Sequence, residues 1–124
     1  MALVGELEMG TANGTVLCIY GGKGSTEPSK SAIMMNHQSS VQNMAFWYPE
    51  QTIVNGQAIP YPATITQCGS EGVTVRNVTF VNAYFGINYA TLFSQASNSL
   101  QYTRDIYGTC LNIGYYNTPS LPIS

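Results

Sequence analysis

The run from Gly72 to Asn82, Gly-Val-Thr-Val-Arg-Asn-Val-Thr-Phe-Val-Asn, constrains this chain most, because close echoes of it stand on either side. Val73 and Val75 share one face of an extended segment, and Val78 and Phe80 share one face of the next. Arg76-Asn77 interrupts the two-residue alternation between them, so the run reads as two short strands joined by a bend. Asparagine accepts a left-handed backbone at little cost, which lets Asn77 turn the chain where a β-branched residue could not. Upstream, Val41-Gln42-Asn43-Met44-Ala45-Phe46 matches Val75 to Phe80 at an offset of 34 residues, and downstream Thr103-Arg104-Asp105-Ile106-Tyr107-Gly108 matches at 28. Self-similarity on this scale marks stacked units that bury their apolar faces against one another. With β-rich runs and no helical period in the units, the expected class is all-β and the architecture a parallel β-helix.

At 124 residues the chain fits one domain, and its 44% apolar content supplies a core. Charged residues make up only 8%, well below the roughly 25% usual in globular domains, so the expected surface is neutral and polar, which suits an extracellular or cell-surface protein. Four basic residues, Lys23, Lys30, Arg76 and Arg104, against a net charge of −2 give no electrostatic footprint for nucleic acid or an anionic membrane. Cys18, Cys68 and Cys110 are widely spaced and His37 is the only histidine. No structural metal site is expected from them, no cofactor is implied, and the cysteines read as buried free thiols.

Along the chain, strands are expected at 15–20, 31–36, 41–48, 63–68, 87–93 and 111–116, besides the run at 72–82 and the echo at 100–109. Turns fall at 37–40, 69–72, 83–86 and 94–99, and no α-helix is needed. Gly21-Gly22-Lys23-Gly24-Ser25 superficially resembles a phosphate-binding loop, but Gly24 stands where that loop needs Ser or Thr, so it reads as a turn. Residues 49–62 hold three prolines and Asn55-Gly56; proline cannot donate to a ladder, so this stretch is expected to leave the stack as an excursion. The chain as a whole, 1–124, is expected to form a single segment of about three to four coils without complete caps, part of a longer solenoid.

Three runs carry a family resemblance: Phe46-Trp47-Tyr48-Pro49-Glu50-Gln51, Pro60-Tyr61-Pro62 and Arg104-Asp105-Ile106-Tyr107-Gly108-Thr109. Together, over roughly residues 15–116, they resemble bacterial proteins of the pectate-lyase-like superfamily, of the polygalacturonase-related type. The resemblance implies a right-handed, single-stranded parallel β-helix with three strands per coil and a sugar-binding groove along one sheet. It also implies that Asn43, Asn77 and Asp105 stack as an inner ladder, and that 31–36, 63–68, 87–92 and 111–116 form the groove sheet. The acid clusters, His-Gly and Arg-x-Lys patterns of the catalytic members are absent from this sequence.

Trp47, Tyr48 and Glu50 follow the first echo in the register in which Val81, Asn82 and Tyr84 follow the second, which sets them on neighbouring coils at one turn. Aromatic faces beside polar groups suit a sugar ring, so Trp47, Tyr48, Glu50, Asn82 and Tyr84 are the candidate substrate-binding residues. Glu50 and Asp105 are the candidate catalytic acids. Hydrolysis of a glycosidic bond takes two carboxyl groups about 5–9.5 Å apart, and the sequence offers neither a partner. Arg104-Asp105 reads foremost as a bend, and His37 as a solvated turn residue. Asn13-Gly14-Thr15 and Asn77-Val78-Thr79 match the glycosylation pattern, the second only by chance. The expected function is that of scaffold and groove wall in a secreted carbohydrate-active enzyme, a glycoside hydrolase or polysaccharide lyase, whose partners are a polysaccharide and further coils. The alternatives are a non-catalytic adhesin, tailspike-like or carbohydrate-binding β-helix, or a structural spacer.

Overall fold

The computed structural model describes residues 2–5, 14–69, 71–90 and 99–117. The expected 94–99 turn at its first five residues, the tail 118–124 and Asn13 lie outside them. Seven strands form one curled parallel sheet, an open half-barrel that winds as a right-handed single-stranded parallel β-helix. The first coil carries β1 (Ala2–Val4), β2 (Val16–Cys18) and β3 (Ile33–Met35), and the second carries β4 (Ser40–Trp47). A two-stranded antiparallel hairpin, β5 (Ile53–Val54) and β6 (Gln57–Ala58), pairs only with itself before β7 (Ala63–Gln67) completes that second coil. β8 (Glu71–Asn88) and β9 (Ser99–Tyr116) are each 18 residues long and bend through a whole coil without losing their pairing.

The bends follow from backbone chemistry. Asn43, Asn77 and Asp105 have φ of 58°, 49° and 57°, and the register on both sides stacks them, Gln42 on Arg76 on Arg104 and Met44 on Val78 on Ile106. The Asn77 Nδ2 group donates to Asn43 Oδ1 at 3.0 Å, along the stacking direction. A second left-handed column, Gln38 (53°), Gly72 (77°) and Leu100 (53°), turns the chain one corner earlier. The third corner is at Asn82 (59°) in the third coil. The sequence suggests a turn at 83–86, whereas β8 continues through Asn88, because Asn82 makes the corner and register shifts around Ala83 absorb it.

Between corners, like side chains pile into columns. Val41 lies on Val75 and Met44 on Val78, while Ile33, Ile65 and Ile87 form another column. Phe46 stacks on Phe80 with ring centroids 5.9 Å apart. These residues are the core, and all but Ile33 are essentially inaccessible to solvent. β7 is buried along its whole length, so both of its faces are covered. Gln67 within it accepts from Gln101 Nε2 at 2.8 Å, which gives one buried amide a partner. Among the described residues the only helical turn is a short 3₁₀ segment at Pro28–Lys30.

Separate contributions can be resolved at Asn77. Alanine there bears a left-handed backbone, at about 1–2 kcal/mol, and loses the side-chain bond, at about 1 kcal/mol; glycine loses chiefly the bond. Urea unfolding should therefore show Asn77→Ala destabilised about twice as much as Asn77→Gly, and equal losses would refute the backbone account.

Candidate functional site

The candidate binding residues, unlike Asp105, lie around the corner where residues 44–47 and 78–81 hand over to the sheet of β3, β7, 85–88 and 113–116. In the third coil the chain crosses this corner directly at Asn82. In the second it leaves after Trp47, and Tyr48 keeps the register by donating its backbone N–H to Val81 O at 3.3 Å. The excursion is then held by its own polar groups. Gln51 donates through Nε2 to Ile59 O at 2.9 Å and accepts from Ile59 N–H at 2.8 Å, so one amide side chain reinforces the hairpin base, where Ile59 N–H also donates to Thr52 O at 3.3 Å. Asn55 and Gly56 both have positive φ, 52° and 77°, the geometry of a tight two-residue hairpin turn.

The glycine-rich loop clasps this excursion from the far side. Gly24 N–H donates to Pro60 O at 2.8 Å, and Lys23 Nζ reaches Glu50 Oε2 at 2.9 Å. A side chain on Gly22 would run into the Pro62 ring at 2.7 Å, and its φ of 79° requires glycine in any case. Gly21 to Gly24 is thus a packing turn. The Lys23–Glu50 pair is about half exposed on each side, so its net contribution is small, but it fixes where Glu50 points. It also holds the Lys23 ammonium above its ordinary pKa, first through the hydrogen bond to Glu50 and then through that carboxylate's charge.

The five candidate binding residues divide. Trp47 is 42% exposed, flanked in register by Cys18 and Val81. Asn82 is exposed, and Glu50 is exposed but engaged by Lys23. Half-buried Tyr84 lines an open, mainly polar recess of about 380 Å³, bordered on the other side by Gln57, Ala58 and Pro60 of the excursion and by Asn112 of the next coil. Tyr48 is turned inward. It is 2% exposed, its ring meets Tyr61 edge-on at 4.8 Å, and its hydroxyl shares a 2.6 Å bond with Thr64 Oγ1. Thr64 in turn donates to Phe85 O at 3.0 Å, tying the excursion to the sheet beneath. Lys23, Gln57 and Asn112 join this flank without any local signal in the sequence; the Asn55-Gly56 turn is the one hint that the excursion folds back.

The two candidate acids do not meet. Asp105 sits in the asparagine column, with Arg104 Nε 3.2 Å from its Oδ2, at the opposite end of the face that Glu50 follows. That face runs from Asn43 to Trp47, roughly 13 Å at strand rise, which is beyond the span of a hydrolytic carboxyl pair. His37 sits at a corner, where its Nδ1 accepts from Glu71 N–H at 3.4 Å. Among the described residues no cluster of three His, Cys, Asp or Glu side chains could hold a metal ion. All three cysteines are free thiols but not buried as expected: Cys18 is exposed and Cys68 and Cys110 are half-buried, with burial pushing the Cys110 thiol up to about 11. No family model matches the chain, and neither a curated protein nor a solved structure matches it.

Burial pushes the Tyr48 and Tyr89 phenols up to about 12, partly offset by their bonds to Thr64 and Thr103. The fold therefore retains protons that the unfolded chain releases near pH 10, so stability falls as pH rises from about 10 toward 12. Urea midpoints measured across that range should decline, and the decline should be shallower in Tyr48→Phe, which has no phenol to ionise. An unchanged slope in that variant would remove Tyr48 from the account.

Proposed function

We propose that this β-helix binds a polysaccharide on the flank formed by Trp47, Asn82, Tyr84 and the 49–62 excursion, serving as scaffold and groove wall rather than as the centre that cuts the chain. The observation that carries this reading is the polar recess between the excursion and Tyr84. An aromatic side chain and the amides of Gln57 and Asn112 line it, and exposed Trp47 stands at the same corner. Sugar rings pair apolar faces with hydroxyl rims, so aromatic platforms bordered by amides suit them. The ligand is extended, because successive coils repeat along the helix axis at about 4.8 Å and a polymer can follow them.

The separation of Glu50 from Asp105 favours the non-catalytic form of this reading. In a carbohydrate-active enzyme built on this scaffold, the acid and base would come from residues other than these two. The right-handed parallel β-helix supports the reading at the level of architecture, which by itself does not carry function. The neutral, charge-poor surface suits an extracellular setting.

A panel of neutral and acidic polysaccharides tested by affinity electrophoresis or calorimetry should give at least one binder. Trp47→Ala and Tyr84→Ala should each weaken that binder roughly 10-fold or more, while Arg76→Ala, exposed at the asparagine corner away from the flank, should leave it unchanged. Retention of full affinity by both aromatic variants would refute the flank as the site.

A further inference from the structure

Among the described residues both ends of the stack are open edges. β9 pairs only with β8, on one side, while β1 and β2 pair only with β4 and β3 only with β7. The tail end also has a hollow. Gly108 stands in the column that Phe46 and Phe80 fill in the coils above, so the column loses its side chain in the last coil. An apolar cavity of about 380 Å³ opens there between Phe80, Ile87, Ile106, Cys110 and Tyr115. A side chain at Gly108 would strike the Phe80 carbonyl oxygen, so the hollow cannot be filled from within that position.

The head end supplies complementary shapes. Leu17 heads the Phe46 column and Leu3 the Val41 column, and they stand 36% and 37% exposed. Ile33 heads the column that runs through Ile65 and Ile87 to Tyr115. If the ladder is continued by one coil, Leu17 falls on Gly108, Leu3 on Thr103 and Ile33 on Tyr115. Proteins that stay apart blunt such edges with lysine, proline or inward charges. β1, β2 and β3 carry none of these, and the charges of β9 are Arg104 and Asp105, which pair with each other.

We propose that a second copy of the chain docks head to tail on β9, its first coil continuing the parallel ladder and the partner's Leu17 entering the hollow at Gly108. A lone extended peptide could pair with one face of β9. Matching three faces in the register of β1, β2 and β3, with Leu3, Leu17 and Ile33 at the column heads, takes another coil of this kind. Such a contact is heterologous and leaves one head and one tail free, so copies add into open filaments.

Sedimentation velocity over a micromolar to near-millimolar series tests this. The wild-type mass should rise continuously with concentration. Head-blocked Leu17→Lys and tail-blocked Tyr115→Lys should each weaken association roughly 10- to 100-fold, while Val54→Lys on the hairpin should behave as wild type. Mixing the two blocked variants should restore a one-to-one dimer that grows no further, which also proves both folded. A wild type that stays monomeric throughout, or stops at a closed dimer, overturns the proposal. So does a mixture that stays monomeric, or a blocked variant that assembles as well as wild type.

Discussion

Left-handed backbone at fixed corners is the constraint on which this molecule depends. A coil can stack on its neighbour only if both turn at the same place, since a corner displaced by one residue would reverse which side chains face the lumen. Asn43, Asn77 and Asp105 answer this with nearly equal φ and a common register. The bond from Asn77 to Asn43 then links successive coils along the axis. The residue type makes the corner inexpensive and the stacking makes it repeat. The columns of valine, isoleucine and phenylalanine follow from the shared register.

A corner need not be cheap in every coil, because the ladder can impose it. Leu100 adopts φ of 53° although leucine disfavours that region. Its neighbours Ser99 and Gln101 are pinned opposite Glu71 and Val73, which places Leu100 opposite Gly72, where left-handed backbone is natural. The corner after Trp47 works differently. There the chain departs altogether, and the stack tolerates this because Tyr48 and Thr64 close the gap beneath the excursion. That departure creates the recess beside Tyr84, so the candidate site exists where the repeat is broken.

These differences explain what the sequence discloses. The Asn-centred corners and the alternating valines are readable because a residue type and a period each carry a local cause. The offset of 34 between Asn43 and Asn77 survives the excursion because both lie ahead of equivalent strands. The Gln38 and Gly72 corners fall in the turns expected at 37–40 and 69–72, whereas the Leu100 corner is not readable, since its conformation is imposed by the neighbouring coil. At the site, Trp47 and Tyr48 are adjacent aromatics with equal claims to a ligand. The alternation that buries Phe46 sets Trp47 outward and Tyr48 inward, and the Thr64 hydroxyl, 16 residues from Tyr48, then partners the buried phenol. The clasp of Lys23 on Glu50 spans 27 residues, and no local pattern records it.

The two proposals meet in one physical consequence. Four coils spaced at about 4.8 Å make a unit roughly 19 Å long, so a head-to-tail filament would present the Trp47–Tyr84 flank at regular intervals along a single axis. A polymeric sugar laid along that axis would engage several flanks at once, and each engagement after the first becomes intramolecular. Weak sites suffice under that arrangement, which fits a recess that offers one aromatic wall, two amides and no buried charge. Assembly and binding would then reinforce each other, because a polysaccharide spanning two copies favours the docked state of their ends.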